Sequence, residues 1–503
     1  MFASTRSTWM KVVSIVLALG AGWGVPAYGF AGGTGEPNNP YQIATAADLL
    51  SIGSDSGLLK KHFVLINDLD LAPSLPGGRV FDDALIGRDT NPSTSGSTGS
   101  PFSGVLDGRG HTIYRLCISG KNGHSAGLFG ICRGFVKDLH LEDVQVSGSP
   151  CGALAGTTPE GMFLRCSVTG KVTGGDTVGG LIGNAWNATI LQCESQVEVN
   201  AGSDAGGLVG HALDGAQIAD AHVRGTVTGT NTVGGLIGSG NGTMILRCTA
   251  ACRVTGSDWV GGLMGRASWS TLVLHCESQG EISGGSQVGG LVGGTSVRAQ
   301  LVESRATGTV TGNNLVGGLI GRSQDVTIRG CAAACDVVGE QTAGGLAGDL
   351  FLGASIVDCY ARGSVTGSLV GGLVGDGGSS GFPARILNSY AACEMLGLSS
   401  TKPPLIGGVL GSRKTSNESI VVSGCFWDTE LSKITVATGS GPGYYGTGLT
   451  TKQMQQPDVF QQAGWDFNST WTMAKEGYPA LRWESAQDES LPADMGTGPI
   501  PPQ

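Results

Sequence analysis

A six-residue segment that returns at a nearly fixed period constrains the fold of this chain more than any other feature. Val-Gly-Gly-Leu-Ile-Gly at residues 178–183 has copies before and after it, and their central residues lie 26 to 28 residues apart until a last step of 36. A period in this range is typical of a solenoid, in which each repeat buries its apolar face only against its neighbours. The repeat therefore predicts one long body. The central residues are Leu128, Leu154, Leu181, Leu208, Leu236, Leu263, Leu291, Leu319, Leu346, Leu373 and Val409.

Two further columns keep the same period. One holds small residues such as Cys166, Cys193 and Ala221, and the other holds β-branched residues such as Val172 and Val199. Each repeat thus carries three short apolar segments punctuated by glycine, which indicates strands and not helices. The 88 glycines among 503 residues fit coil corners, where positive φ or a missing side chain is required. We predict an all-β fold, a parallel β-helix or solenoid of coils about 27 residues long with short capping helices, for which a right-handed coil is favoured.

The ends of the chain differ from the repeat region and divide it into five parts. Residues 1–31 combine Arg6 and Lys11 with an apolar core and small residues, as in a secretory signal peptide. That apolar core is too short to span a bilayer. We predict a signal peptide at 1–31, an N-terminal cap with the first coils at 32–124, the repeat β-helix at 125–424, an aromatic-rich C-terminal cap at 425–485 and a disordered tail at 486–503.

The charge and the leader together indicate where the protein works. Without the leader, 28 basic and 40 acidic residues remain, so the mature chain has a net charge of −12. An acidic surface argues against nucleic acid or an anionic membrane as a partner. We expect a secreted or cell-surface protein that has no transmembrane anchor after the leader is removed.

Both predicted caps carry local helix signals. Thr45 to Asp48 fits a capping box ahead of a short helix that ends at Gly53 and covers the edge of the first coil. The Pro-rich stretch from Pro73 to Pro101 is expected to be a surface loop. In the second cap, a helix interrupted by Pro457 is expected around residues 452–462, and its aromatic residues are expected to seal the last coil.

The sequence contains few signals of catalytic or metal chemistry. The 13 cysteines follow the column of small residues, which favours buried thiols over disulfides, although Cys248/Cys252 and Cys331/Cys335 have a spacing that a disulfide could close. Neither Cys-x-x-Cys nor His-Glu-x-x-His occurs, so we predict no metal site, no cofactor and no catalytic residue. The acidic pairs are expected to be solvated turn residues. These pairs are Asp68/Asp70, Asp82/Asp83 and Glu142/Asp143.

The residue after each motif copy varies, which indicates that it points outwards. This series is Asn184, His211, Ser239, Arg266, Gly294, Arg322, Asp349 and Asp376. Tryptophan side chains near these positions could stack on sugar rings. Trp186 and Trp269 are therefore candidate glycan contacts, whereas Trp259, next to a motif, could simply be packed.

The recurring Gly-Leu-any-Gly core, seen at Gly180 to Gly183, resembles the GLUG motif of bacterial proteins, and the flanks from residue 32 to 485 look similar too. The resemblance implies a secreted or surface-associated, adhesin-like β-solenoid and carries over no catalytic residue. We therefore expect a non-enzymatic scaffold that presents a variable outer face to a glycan, matrix or cell-surface partner. Two alternatives stay open: a polysaccharide lyase or hydrolase built on a β-helix, and a purely structural surface-layer component.

Overall fold

The protein is an elongated parallel β-solenoid. The computed structural model describes residues 29–71, 80–90, 99–120, 123–378, 382–398, 403–413, 420–441, 445–475 and 477–487. The predicted signal peptide and tail lie almost entirely outside these residues. Register partners in adjacent coils are 27 or 28 residues apart, as for Val168 with Ser195 and Ser195 with Val223. The predicted β-solenoid is therefore confirmed.

Each coil of the repeat region contributes four strands, which we call columns 1 to 4 in chain order. Column 1 forms a parallel sheet of nine strands. Its strands are Asp176–Gly179, Ser203–Gly206, Asn231–Gly234, Asp258–Gly261, Ser286–Gly289, Asn314–Gly317, Thr342–Gly344, Leu369–Gly371 and Leu405–Gly407.

Column 2 follows the motif and forms a parallel sheet of eleven strands. Its strands are Phe129–Ile131, Ala155–Pro159, Ile182–Trp186, Val209–Leu213, Ile237–Asn241, Met264–Ser268, Val292–Ser296, Ile320–Gln324, Ala347–Phe351, Val374–Gly377 and Leu410–Arg413.

Columns 3 and 4 belong to one sheet of 27 strands, which also includes the first coils. The strands of column 3 are Met162–Leu164, Thr189–Leu191, Gln217–Ala219, Met244–Leu246, Leu272–Leu274, Ala299–Val302, Val326–Arg329, Ser355–Val357, Ala384–Leu387 and Ile420–Ser423. Those of column 4 are Ser167–Gly174, Glu194–Asn200, His222–Thr228, Thr249–Thr255, Glu277–Ser283, Arg305–Gly312, Ala332–Gly339, Tyr360–Gly367, Tyr390–Gly397 and Phe426–Asp428, which Thr447–Leu449 extends. The first coils add Tyr41–Ile43, His62–Leu65, Leu69–Asp70, Val105–Tyr114, Cys117–Ser119 and Phe135–Gly148.

The glycines of the motif allow two backbones to touch. A Cβ placed on Gly179 would lie 1.9 Å from the carbonyl oxygen of Ile182, and one on Gly183 would lie 2.5 Å from that of Gly156. Column 1 thus packs against column 2 with no room for side chains between their glycines, while Leu181 and Ile182 enter the core fully buried. Neither glycine has a positive φ. The motif therefore uses glycine for close approach and not for a left-handed corner.

Positive φ is instead adopted by residues that carry side chains. Within column 1, the residue two positions before the first glycine of the motif repeats this conformation in successive coils, as Asp204 (φ 48°) and Trp259 (φ 54°) show. The prediction that glycine supplies positive φ at the corners is right only in part. The column 1 residues with positive φ are Thr177, Asp204, Thr232, Trp259, Gln287 and Leu315.

The N-terminal cap begins as predicted. A helix covers Ala46–Ile52, and the Thr45 hydroxyl accepts from the Asp48 N–H while the Asp48 carboxylate accepts from the Thr45 N–H, which completes the capping box. A 3-10 helix follows at Leu58–Lys60. The expectation of a surface loop from Pro73 to Pro101 is wrong for part of the stretch, because Leu85 and Ile86 are buried and the Ile86 N–H donates to the Leu128 carbonyl.

The C-terminal cap covers the flank of the solenoid as well as its end. Trp427 closes the end against Gly408. The later aromatic residues fold back over column 4, where Trp471 packs near Tyr360 and Tyr390, and the indole N–H of Trp483 donates to the Gly330 carbonyl at 2.7 Å. The cap therefore covers the end of the solenoid and also packs along its side, an arrangement that we call a lateral brace. The cap helices are Thr429–Ser432, Thr451–Met454, Pro457–Gln462 and Arg482–Gln487, and the antiparallel strands Trp471–Met473 and Pro479–Leu481 complete it.

Cysteines line the core as free thiols. All 13 are unpaired, and all except Cys117 are buried. Cys248 and Cys252, whose spacing would allow a disulfide, donate instead to the carbonyls of Ile218 and Gly235. Burial raises the pKa of the Cys252 thiol to about 12. These thiols therefore act as small apolar residues of the core.

Candidate functional site

The outward side chains of column 2 form a ladder along one side of the solenoid. Register pairing places the residue that follows each motif directly beside its equivalent in the next coil, as Asn184 beside His211 and Arg322 beside Asp349. Adjacent positions are therefore about 4.8 Å apart. We call this surface the ladder face. It comprises Asn184, His211, Ser239, Arg266, Gly294, Arg322, Asp349 and Asp376, together with the column 1 residues of positive φ that flank them.

The prediction that all ladder positions point into solvent is wrong at one end. Arg266 is exposed and Asn184, His211 and Arg322 are half-buried, but Asp349 and Asp376 are only 5% and 8% exposed. Asp349 accepts from the Ser323 N–H and Asp376 from the Ser412 hydroxyl. These two acids therefore join neighbouring coils through hydrogen bonds.

The two tryptophans predicted as glycan contacts lie at one edge of this face. Trp186 occupies the last position of its strand, in register with Leu213, and is half-buried. Trp269 comes directly after Ser268, which holds the same register position three coils later, and its side chain is 57% exposed. The two residues thus share an edge but are separated by about 14 Å of stacked strands. One sugar ring cannot touch both.

Trp259, which the sequence indicated could simply be packed, lies at the centre of the face. A Cβ on Gly294 would lie 2.6 Å from the ring of Trp259, so this ring occupies the space that the missing ladder side chain leaves. The Arg266 guanidinium lies over the same ring, 4.9 Å from its centroid. Two coils along, the Arg322 guanidinium lies 5.7 Å from the ring centroid of Phe351. The glycine at position 294, where other coils carry a side chain, was the signal that could have located this packing.

Buried polar atoms without hydrogen-bond partners also lie on this face. Among the described residues, four buried side-chain atoms that lack a hydrogen bond belong to this face or its edge: Asn184 Oδ1, Trp186 Nε1, Gln287 Oε1 and Arg322 Nε. A buried polar group without a partner costs about 1–3 kcal/mol, so folded proteins keep few of them. A ligand that offers hydroxyl groups would supply the missing partners.

Asp204 and His211 are both half-buried on the ladder face. Burial, with a smaller contribution from the Asp176 charge, raises the pKa of Asp204, although the His211 charge opposes the shift. Burial likewise lowers the pKa of His211. Both shifts favour the neutral forms, and they show that this part of the face is poorly solvated.

The acidic pairs considered from the sequence do not form a catalytic constellation. Asp68 accepts from the Thr112 N–H, and Asp70 is paired with Arg115. Glu142 and Asp143 are exposed on a strand of the first coils. Within the described part of the chain, no three His, Cys, Asp or Glu side chains come together in a group that could hold a metal ion.

Comparison with known proteins agrees with this geometry. The GLUG motif matches residues 201–228, which comprise one complete coil of the solenoid. The register of that coil is repeated along columns 1 and 2. Residues 201–228 thus carry a GLUG motif.

Two relatives match only part of this chain. Halomucin from Haloquadratum walsbyi is 33% identical over 152 residues, which are 29% of this chain and 2% of Halomucin. A protein of Evansella cellulosilytica, provisionally described as a Gly-rich membrane protein, is 37% identical over 134 residues, which are 25% of this chain and 14% of that protein. The chain thus spans a small part of the relatives it matches.

A solved structure is similar over more of its length but only distantly. It is that of a provisionally assigned immunoglobulin A1 protease from Bacteroides ovatus, with a TM-score of 0.30 and 16% identity, and the match covers 90% of this chain and 95% of that one. Similarity at this level does not inform activity. In the parts of the chain that the structure describes, no helix has the length and apolar character needed to cross a membrane.

Proposed function

We propose that the protein is an exported, non-enzymatic binding scaffold whose ladder face holds an extracellular polysaccharide. One observation carries this proposal: aromatic rings and buried polar atoms without partners occur together on the same face. Trp186, Trp259, Trp269 and Phe351 offer ring surfaces, and the unpaired atoms of Asn184, Gln287 and Arg322 offer hydrogen bonds. Sugars present both C–H faces and hydroxyl groups, so they match this combination.

The shape of the face favours a long polymer over a small molecule. From Trp186 to Phe351 the outward positions of column 2 pass through six coil steps, or about 29 Å. The face has no deep cavity among the described residues, and a flat site of this length makes many weak contacts in a row. A polymer can use such contacts together because each one adds to an attachment that already exists.

Retention on immobilised polysaccharides tests the proposal. We expect the purified protein to be retarded in native gels that contain a bound polymer, without any release of reducing ends or unsaturated sugars. Trp186→Leu copies Leu213 of the next coil, and Trp269→Asn copies Asn187, which has a similar φ of 47°. Each should weaken retention several-fold because a stacking ring is lost.

Leu396→Ser serves as the control, since Leu396 is 61% exposed and lies on column 4, outside the ladder face. It should leave retention unchanged. If no polymer of a neutral and acidic panel retards the protein, the proposal is wrong, and a structural surface component becomes the better account. Release of sugar fragments by the purified protein would instead favour the enzyme alternative.

A further inference from the structure

The middle of the ladder face combines an aromatic ring with two cations. Arg266, Gly294 and Arg322 are consecutive ladder positions, so the two arginines are separated by about 10 Å of backbone. The Trp259 ring lies against Gly294, between them. Arg266 is held over this ring and Arg322 is held near Phe351. Aromatic stacking of this kind fixes the plane of a guanidinium and leaves its N–H edge available.

Neither arginine forms an ion pair within the described residues. Asp349 is the register neighbour of Arg322, and Asp204 interacts electrostatically with Arg266. The contacts of Arg266 are the Trp259 ring and a long hydrogen bond of 3.4 Å to the Ser296 hydroxyl. Arg322 contacts the Phe351 ring, and its Nε atom is buried without a partner. Arginines on another side of the solenoid differ, since Arg165 and Arg247 form ion pairs with Asp138 and Asp220 of the preceding coil.

The surrounding charge makes this arrangement unusual. The whole chain has a net charge of −10, so its average field repels polyanions. Two arginines without an ion pair among the described residues, about 10 Å apart on one face, form a local exception. Arginine binds planar oxyanions through paired N–H groups, and these hydrogen bonds are stronger than those between neutral groups. The chemistry that fits is a carboxylate or sulfate on a sugar that also covers the Trp259 ring.

We infer that Trp259, Arg266 and Arg322 form a subsite for the acidic groups of a uronate or sulfated polysaccharide. This inference rests on the proposed function, because it names the class of polymer that the ladder face binds. Arg266 and Arg322 would each bind one oxyanion, and Trp259 would stack on the sugar between them. Neutral polymers would then bind more weakly than acidic ones with the same backbone.

The test compares one polymer with and without its charge. We would measure the binding of the intact protein to polygalacturonate and to the same polymer after reduction of its carboxyl groups to alcohols, with heparin as the sulfated probe. Polygalacturonate is expected to bind at least tenfold more tightly than its reduced form, since charge-assisted hydrogen bonds are lost on reduction. Added salt should diminish the difference.

Variants locate the effect. Arg266→Gln and Arg322→Gln should each weaken the binding of the acidic polymer about tenfold while the binding of its reduced form stays the same. Arg224→Gln removes the same charge from an exposed position on column 4 and should have little effect on either polymer. Trp259→Thr copies Thr232, which has nearly the same φ, and should weaken the binding of both polymers.

A second change tests the packing itself. Gly294→Ser copies Ser239, the ladder residue two coils earlier, but places a Cβ 2.6 Å from the Trp259 ring. It should displace the ring and weaken the binding of both polymers, with a change in tryptophan fluorescence. In the Trp259→Thr background the same substitution should cost no further affinity.

These outcomes distinguish failure of the acidic subsite from failure of the proposed function. Equal affinity for the charged and reduced polymers, with loss only in the tryptophan variants, would overturn the acidic subsite and keep the proposed function. Arginine-dependent binding of polyglutamate without binding of either polymer would show an acidic polypeptide site and overturn both. Binding that no ladder substitution affects would place the polymer elsewhere and overturn both as well. Preference for heparin over polygalacturonate would support the subsite and identify sulfate as its group.

Discussion

At the residue scale, the motif glycines stabilise the solenoid because they have no side chain, which lets columns 1 and 2 approach closely. Columns 1 and 2 come into contact through Gly179 and Gly183, whose backbones touch neighbouring carbonyl groups and amides. Leu181 of the same motif is fully buried, and burying a leucine contributes about 1.5–3 kcal/mol. Each copy of the motif thus needs glycines, which have no side chain, and an apolar residue whose side chain fills the core.

Gly179→Ala should destabilise the fold strongly. Its Cβ would lie 1.9 Å from the Ile182 oxygen and 2.6 Å from the Gly210 nitrogen, and backbone atoms cannot move aside without breaking the arch. We expect the free energy of unfolding to fall by about 3 kcal/mol in urea denaturation. Gly175→Ala is the matched control, because its nearest atom is the Ser149 hydroxyl at 3.5 Å. An equal loss in both variants would contradict the close-approach argument.

The buried thiols predict a loss of stability at high pH. Burial raises the pKa of Cys252 and Cys335 from 9.0 to about 12. Between these values the unfolded chain has ionised thiols and the folded chain does not, so the unfolded state binds fewer protons and stability falls as pH rises from about 9 to 12. Each such thiol should contribute a slope of about 1 kcal/mol per pH unit in that window.

Urea denaturation at pH 7 and pH 10 measures this slope. Cys252→Val, which copies Val197 two coils earlier, should reduce the slope by one thiol's share. At pH 8 a thiol reagent should modify Cys117 before the buried cysteines of the folded protein, and all 13 after denaturation. Rapid modification of most thiols in the folded protein would contradict their burial.

At the element scale, the C-terminal cap braces several coils at once. Arg362 lies over the rings of Tyr360, Tyr390 and Tyr478, and its guanidinium donates to the Tyr390 hydroxyl and the Pro479 carbonyl. The Tyr360 hydroxyl donates to the Glu484 carboxylate at 2.7 Å. The cap therefore fastens column 4 strands that otherwise contact only their neighbours.

Trp471→Ala should loosen the last coils selectively. Trp471 is fully buried among cap aromatics, and replacing such a residue by alanine costs about 3–5 kcal/mol. Because solenoid coils are stabilised mainly by adjacent coils, the loss should be local. Hydrogen exchange should accelerate in column 4 from Ala332 onwards and stay unchanged around Val168. Uniform acceleration along the chain would contradict a local brace.

The elements themselves were largely predictable from the sequence. A repeated Leu with β-branched and small companion columns specifies stacked strands, and the Thr45 capping box specifies the first helix. The lateral path of the cap was not predictable, because Tyr360 and Tyr390 hold the position of Ala332 in an earlier coil and the repeat does not show which later residues cover them. The sequence allowed Trp259 to be packed, but its partner Gly294 was not predicted, because the contact joins one coil to the next.

At the scale of the whole molecule, equivalent residues of successive coils occupy the same position on a repeated backbone. Every coil repeats the same core, so residues that differ between coils, such as Arg266 and Gly294, change the ladder face without changing the fold. A surface of this type can be altered one coil at a time. We therefore expect ligand specificity to depend on a few ladder positions, while stability depends on the motif.

Oxidative footprinting of the tryptophans is the most direct test of the central claim, that the ladder face binds polysaccharide. With polygalacturonate bound, hydroxyl-radical oxidation of Trp259 and Trp269 should fall several-fold, because a polymer along the face covers both rings. Leu396, which is exposed on column 4, should be oxidised at the same rate with and without polymer. Retention of the polymer without protection of Trp259 or Trp269 would contradict the account.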